Sequence, residues 1–169
     1  MKVLETERLI LRRLSADDAA PILRLLNEPS FLQFIGDRSV RTLDGAREYI
    51  ASGPVASYER FGYGMYMTEV KSDGTPIGLC GLVNRDSLDD VDVGFAFFPE
   101  FWKQGYGYES AVAVMDHAKT TLGLTRLVAI TAPDNRASVR LLEKLGLSFE
   151  RMIRLPEDTA ESRLFAIDF

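Results

Sequence analysis

Residues 98–111 read FPEFWKQGYGYESA, and this stretch decides the fold. The run before it, from Asp92 to Phe98, is apolar on nearly every residue, which is typical of a strand buried on both faces. Pro99 stops the strand, and a loop containing Gly105 leads into a helix predicted from about Gly107 to Leu122. A buried strand, a glycine-containing loop and a helix therefore follow one another directly.

This junction is suited to an anion. Gly105 and Gly107 let the backbone approach a ligand closely, and the free N–H groups of the first helical turn point towards it, as a pyrophosphate requires. A tight turn between strand and helix explains two glycines equally well and is the more common reason for them. A nicotinamide dinucleotide site is set aside, because it needs a third glycine where Ser110 stands and an acidic residue about 20 positions further on.

A second informative stretch covers residues 135–147, NRASVRLLEKLGL. Asn135 is suited to cap a helix that ends at Gly146, a residue that adopts the left-handed conformation easily. Ser138 shares a helix face with Leu141, Leu142 and Leu145, the face that packs inward. Its hydroxyl either bonds to the local backbone or faces a ligand, and the sequence leaves both open.

On both sides of these stretches, hydrophobic periodicity predicts strands and helices in mixed order along the chain. Further strands are expected at residues 9–14, 64–70, 76–83, 126–131, 149–153 and 164–169, and further helices after Ser15 and from Leu43 to Ile50. Asp73-Gly74 is a hairpin turn signal between two of the strands. We therefore expect an α/β (α+β) fold with a mixed, mostly antiparallel central sheet of about six to seven strands flanked by helices.

Composition narrows the function classes. The 169 residues suit a single domain, 1–169, and the net charge of -5 disfavours nucleic-acid binding. One cysteine excludes an internal disulfide, and one cysteine with one histidine cannot form a usual zinc site, so we expect no metal. Residues 1–8 lack the apolar stretch of a signal peptide, and no apolar run is long enough for a bilayer. These features predict a cytoplasmic protein with no membrane partner.

Both informative stretches resemble the coenzyme A-binding signatures of the GNAT superfamily of N-acetyltransferases. Residues 102–107, WKQGYG, are similar to its Gln/Arg-x-x-Gly-x-Gly/Ala pattern, and residues 135–146 to its Asn-x-x-Ala/Ser…Glu-Lys-x-Gly segment. The opening LETERLILR at residues 4–12, together with residues 99–102 and 108–109, resembles the branch that contains the Rim-type N-terminal acetyltransferases of ribosomal proteins. The likeness covers almost the whole chain in the right order.

The resemblance implies direct transfer of acetyl from acetyl-coenzyme A, as co-substrate, to a primary amine. The acceptor would be a protein N-terminus or a small molecule such as a polyamine, amino sugar or antibiotic, and the protein a monomer or homodimer. A backbone N–H near Gly94 would stabilise the oxyanion, on a strand that in the family splays from its neighbour and pairs with the pantetheine arm. The residues implied in coenzyme A binding are Phe95, Ala96, Phe97, Trp102, Lys103, Gln104, Gly105, Tyr106, Gly107, Tyr108, Asn135 and Ser138.

Two catalytic candidates meet the chemical demands of this transfer. Asp92 is the candidate base, directly or through water, although a solvated carboxylate at a strand end is the more common role for such a residue. Ser138, preferred over Tyr106 and Tyr108, is the candidate hydrogen-bond donor to the departing sulfur, because Leu142 occupies a position where many members carry a tyrosine that acts as general acid. Since leucine cannot donate a proton, Ser138 or water must do so, and a coenzyme A-binding protein without turnover remains an alternative.

Overall fold

Eight strands form one open sheet in a computed structural model that describes residues 1–169. The strands are β1 Lys2–Glu5, β2 Leu9–Arg12, β3 Met65–Val70, β4 Pro76–Val83, β5 Asp92–Phe97, β6 Arg126–Thr131, β7 Ser148–Ile153 and β8 Ser162–Asp168. Their spatial order is β1-β2-β3-β4-β5-β6-β8-β7. Every neighbouring pair is antiparallel except β5 and β6, which are parallel.

Six α-helices flank the sheet: α1 Ala19–Leu26, α2 Pro29–Phe34, α3 Leu43–Ile50, α4 Ala56–Phe61, α5 Tyr106–Thr120 and α6 Arg136–Lys144. The helices α1 and α3 pack on one face through an apolar cluster that includes Ile22, Leu25 and Ile50. The other face is covered by α5, whose Ala111 and Val114 are fully buried. The sheet is therefore enclosed between two helical layers. No helix is long and apolar enough to cross a bilayer.

The predicted fold class is confirmed, with more elements than expected. The strand count is eight rather than six to seven because residues Lys2–Glu5 form a strand that pairs with β2. This strand was not predicted because its first and last residues are charged. Helices α2 and α4 were also not predicted. Pro29 begins α2, and Gly53-Pro54 lies in a π-helical turn that joins α3 to α4, although this pair usually breaks a helix.

The strands β5 and β6 diverge, and this divergence opens the functional region. Their parallel pairing consists of a single residue pair, Asp92 with Val128, whereas β5 pairs with β4 along its whole length. The expectation that β5 is buried on both faces is correct for Asp92 and Val93 and wrong for residues 94–97, which are only partly buried. Without β6 beside them on the other side, these residues line a cleft.

Candidate active site

A cavity of about 600 Å³ occupies the cleft between the diverging strands and the helices around them. Nearly all the residues that the sequence analysis singled out line it: Asp92, Gly94, Phe95, Ala96, Phe97, Trp102, Lys103, Gly105, Tyr106, Gly107, Tyr108, Asn135, Ser138 and Leu142. Gln104 is the exception, because its side chain is turned to donate to the Glu100 carbonyl at 3.1 Å. One cavity thus brings together two stretches that are separated by some thirty residues in the sequence.

The glycine loop at one end of this cavity leads directly into α5. Gly105 has φ 83° and is the residue before the first turn of the helix, a conformation that a side chain would disfavour. Lys103 also has a positive φ, 62°, which is uncommon for a residue with a side chain. The first residues of this 15-residue helix, Tyr106, Gly107 and Tyr108, line the cavity, and their N–H groups have no partner within the helix and can bind an anion.

Gly107 has a packing role that the sequence did not reveal. A Cβ atom at this position would lie 3.2 Å from Cδ2 of Leu141 and 3.6 Å from Cε2 of Phe97. The glycine therefore lets the first turn of α5 approach α6 and the end of β5 closely. Its importance for the cavity wall comes from this packing.

The side chain of Trp102 binds to the end of β5 that faces the cleft. Its indole Nε1 donates to the Phe97 carbonyl at 2.9 Å, while the ring itself remains 46% exposed. This bond ties the loop to the last residue of the strand. The free backbone edge of β5 that faces the cleft therefore ends before the Phe97 carbonyl.

Three cations line the cavity, of which Lys103 belongs to the glycine loop and Lys144 lies beside Tyr108. Lys103, Arg140 and Lys144 line it, and none of them forms an ion pair with a carboxylate of the chain. Nζ of Lys144 lies 4.3 Å from the ring centroid of Tyr108, which holds the ammonium at the cavity wall. Arg140 and Lys144 were not singled out from the sequence, although their four-residue spacing predicts one helix face. Positive charge and free N–H groups together favour a polyanionic ligand.

Asp92 lies at the point of divergence, and it is buried rather than solvated. Only 2% of the residue is exposed, so the expectation of a solvated strand-end carboxylate is wrong. Nε of Arg85 donates to Oδ2 of Asp92 at 2.9 Å. Burial raises the pKa of Asp92 to about 6, against the opposing effect of the Arg85 charge. Asp92 is therefore a carboxylate whose protonation changes near neutral pH. The sequence carried no signal for its partner Arg85.

Ser138 presents a hydroxyl to the cavity from the first turn of α6. The Asn135 side chain caps this helix, accepting a bond from the Ser138 N–H at 3.2 Å, which agrees with the predicted cap. The Ser138 hydroxyl has no hydrogen-bond partner within the chain and lines the cavity. The bond to the local backbone, one of the two possibilities that the sequence left open, is absent, and a ligand-facing hydroxyl stays a prediction. Leu142 beside it is 1% exposed and contributes only apolar surface.

The other end of the cavity has a different lining, which the sequence analysis did not resolve. Phe31, Phe34 and Tyr49 form aromatic walls there, and Arg38 stands at the same end. Glu157 and Asp158, from the connection between β7 and β8, also line the cavity. An apolar wall with charges of both signs is able to hold an amine beside other polar groups.

The reactive side chains outside this region offer no second centre. Cys80 lies in β4 and is completely buried, and burial raises the pKa of its thiol to about 12. It behaves as a small apolar residue, as its sequence context indicates. No group of three or more histidine, cysteine or acidic residues is arranged to hold a metal ion.

Comparison with known proteins was consistent with this geometry. The sequence profile of the acetyltransferase (GNAT) domain matches residues 8–148. An uncharacterised N-acetyltransferase of Bacillus subtilis, YoaA, is 29% identical over 154 residues, which cover 90% of this chain and 86% of that protein. The crystal structure of an acetyltransferase from Agrobacterium tumefaciens superposes with a TM-score of 0.84 at 25% identity, covering 100% of this chain and 95% of the other.

A second similar structure was solved with a ligand. The RimL ribosomal L7/L12 alpha-N-protein acetyltransferase, in complex with coenzyme A, has a TM-score of 0.85 at 18% identity. The superposition covers 99% of this chain and 98% of that one. At this identity the likeness concerns the fold.

Proposed function

The chain belongs to the GNAT acetyltransferase family, and on that basis we propose that it transfers acetyl from acetyl-coenzyme A directly to an α-amine such as a peptide or protein N-terminus. The family membership confirms the resemblance found in the sequence and makes the protein an N-acetyltransferase. The identity of the acceptor amine is the part that we propose. The cytoplasmic location and the monomeric or dimeric state stay predictions.

One observation carries the proposal: a single cavity joins the cationic glycine-loop end to Asp92. Coenzyme A is a polyanion at one end and a thioester at the other when it carries acetyl. The residues at the loop end fit its phosphates, because free N–H groups of α5 and the cations Lys103, Arg140 and Lys144 converge there. The open edge of β5 near Gly94 and Phe95 would hold the arm that leads from these phosphates towards Asp92.

The chain supplies three chemical functions at the reacting end. Asp92 accepts a proton from the incoming ammonium, which has no lone pair until it loses one. Backbone N–H groups at residues 94–96 would donate to the oxygen on which negative charge develops. The Ser138 hydroxyl would donate a hydrogen bond to the sulfur as it leaves, since Leu142 cannot do so. The protein contributes orientation and proton management, and the thioester contributes the activated acetyl group.

The lower pKa of an α-amine favours it over an alkyl amine as the proton donor to Asp92. Its pKa of about 6 lies roughly 2 units below that of an α-amino group and more than ~4 units below that of a lysine-type amine. Proton transfer to Asp92 is therefore uphill by about 3 kcal/mol from an α-ammonium and about 6 kcal/mol from an alkyl ammonium. Proton transfer from an alkyl ammonium therefore adds a larger barrier to each turnover than transfer from an α-ammonium. This difference supports a peptide N-terminus, or another molecule with an α-amine, as the acceptor.

Two alternatives remain as outcomes of the test. A small-molecule amine would use the same residues, and the aromatic walls formed by Phe31, Phe34 and Tyr49 suit a compact acceptor as well. Binding without turnover is the other alternative, and it rests on Leu142, which removes the proton donor common in the family.

A panel of amines with acetyl-coenzyme A distinguishes these outcomes. We expect thiol release to be fastest with short peptides that have a free N-terminus, and slow with the same peptides N-blocked but carrying a lysine. Faster turnover of polyamines or amino sugars than of these peptides would contradict the proposed α-amine acceptor and indicate an alkyl-amine acceptor instead. No amine-dependent release, despite a coenzyme A-induced rise in melting temperature, would establish binding without turnover.

A further inference from the structure

The first turn of α5 contains an acid that is held by the N-terminal segment of the chain. Glu109 accepts hydrogen bonds from the Thr6 hydroxyl, from the Arg8 backbone N–H at 2.9 Å, and from Nε of Arg8 at 2.7 Å. Thr6 and Arg8 lie about one hundred residues away in the sequence, in the connection between β1 and β2. We call Thr6, Arg8 and Glu109 the N-terminal clamp.

Arg8 also holds the glycine loop itself. Its Nη1 donates to the Gln104 carbonyl at 2.9 Å, and its guanidinium lies 4.5 Å from the ring centroid of Tyr106. A Cβ atom on Gly105 would lie 3.2 Å from Nη2 of Arg8. One side chain therefore touches three consecutive residues of the loop that ends at the helix.

Glu109 poses an electrostatic problem for the proposed ligand. Burial raises the pKa of Glu109, but the bonds from Thr6 and Arg8 outweigh it and hold the pKa below its usual value, so the group is ionised at neutral pH. A carboxylate in the first turn stabilises the helix dipole, and although Glu109 does not line the cavity, it lies within one helical turn of Tyr106, Gly107 and Tyr108, which do. Two anions at one helix terminus repel each other unless a cation stands beside them.

We infer that the N-terminal clamp is a positioning device for coenzyme A: Arg8 neutralises Glu109 and holds the glycine loop so that the helix terminus accepts a pyrophosphate. This inference rests on the proposed function and adds residues that lie outside the cavity wall. Arg8 and Glu109 act through the loop, so their effect is confined to the phosphate part of the ligand.

Binding of coenzyme A to four proteins at low ionic strength tests the inference: wild type, Arg8→Ala, Glu109→Gln and the double variant. Arg8→Ala leaves an unpaired carboxylate at the helix terminus, so we expect coenzyme A to bind roughly 10-fold more weakly. Adding Glu109→Gln removes the repelling charge and should recover about 3-fold of this loss, while the contacts of Arg8 with the loop stay lost. Arg8→Lys keeps the charge and should bind coenzyme A within about 3-fold of the wild type.

A ligand without phosphates separates positioning from general damage. The KM for S-acetyl-pantetheine should be unchanged in Arg8→Ala, and the kcat with saturating acetyl-coenzyme A should also be unchanged. Arg47→Ala, which removes an exposed ion pair to Asp44 on α3, is the matched control and should bind coenzyme A like the wild type.

The inference is overturned if the double variant binds coenzyme A no better than Arg8→Ala does. It is also overturned if Arg8→Ala weakens the apparent affinity for S-acetyl-pantetheine as much as that for coenzyme A. If Arg8→Ala does not fold, Arg8→Gln with and without Glu109→Gln replaces it, and removing the carboxylate in that uncharged background should again raise the affinity for coenzyme A. Absence of coenzyme A binding by the wild type would instead reject the proposed function.

Discussion

Arg85 donates to Oδ2 of Asp92 at 2.9 Å at the point where β5 and β6 begin to diverge. Burial disfavours the charged form of Asp92, while the guanidinium of Arg85 favours it. The balance of these two effects holds the pKa of Asp92 at about 6, between a fully solvated aspartate and an isolated buried one. The pair thus sets the pH at which the proposed base becomes available.

The pH dependence of kcat/KM should report this balance. With Asp92 as base, activity should fall as the pH decreases through about 6, because the protonated carboxyl cannot accept another proton. Arg85→Gln removes the favourable charge, so the midpoint of the acid limb should move to higher pH. Arg41→Gln, whose partner is the exposed Asp37, should leave the midpoint in place. An acid limb that Arg85→Gln does not move would remove Asp92 from this role.

Stability should depend on pH through the same group. The pKa of Asp92 is raised on folding from 3.8 to about 6, so its favourable contribution is complete below the lower value and is lost as the pH rises through the higher one. Asp92→Asn does not titrate. The difference between the free energies of unfolding of Asp92→Asn and of wild type should therefore shift in favour of the variant from about pH 4 to pH 7, by up to about 3 kcal/mol. Urea unfolding at both pH values measures this, and a pH-independent difference would contradict it.

Ser138→Ala tests the leaving-group step. We expect turnover to fall roughly 10- to 100-fold with nearly unchanged coenzyme A affinity, because the hydroxyl contributes chiefly as the sulfur departs. Ser52→Ala, on the exposed turn after α3, is the matched control. Turnover equal to wild type would leave water as the proton source, whereas a lost cofactor-induced melting shift would make Ser138 a binding residue.

Gly107→Val tests the approach of α5 to α6. Its side chain would press on Leu141 Cδ2, so we expect a loss of stability of roughly 1–3 kcal/mol and loss of most of the melting shift caused by acetyl-coenzyme A. Gly53→Val is the control for adding a side chain, since a Cβ there meets nothing within 4 Å. A full cofactor shift in Gly107→Val would show that the approach is dispensable.

Local signals predicted much of this structure. The strand at residues 126–131 was located to the residue, the Asn135 cap is present, and Asp73-Gly74 forms the expected turn. Each of these features depends on neighbouring residues, so hydrophobic pattern and capping chemistry suffice. The short strand Lys2–Glu5 was missed because its stability comes from pairing with β2, which no local pattern reveals.

The sequence predicted the loop and the helix start that line the candidate site, but it did not predict which charged residues pair with each other there. The glycine loop and Ser138 are contiguous motifs, and the structure brings them to one cavity. The contact of Arg8 with Glu109 joins residues 101 apart, and Arg85 gains significance only because folding buries Asp92 beside it. Burial and long-range pairing are products of the tertiary structure, so these partners had no signature of their own.

The central claim is that this cavity transfers acetyl to an α-amine with Asp92 as the base. The most direct test is mass spectrometry of a short peptide with a free N-terminus after incubation with acetyl-coenzyme A and either wild type or Asp92→Asn, alongside thiol release. We predict one N-terminal acetyl group per thiol released by wild type, and a rate at least ~100-fold lower for a folded Asp92→Asn that still binds coenzyme A. Equal rates of peptide acetylation by the two proteins would contradict this account.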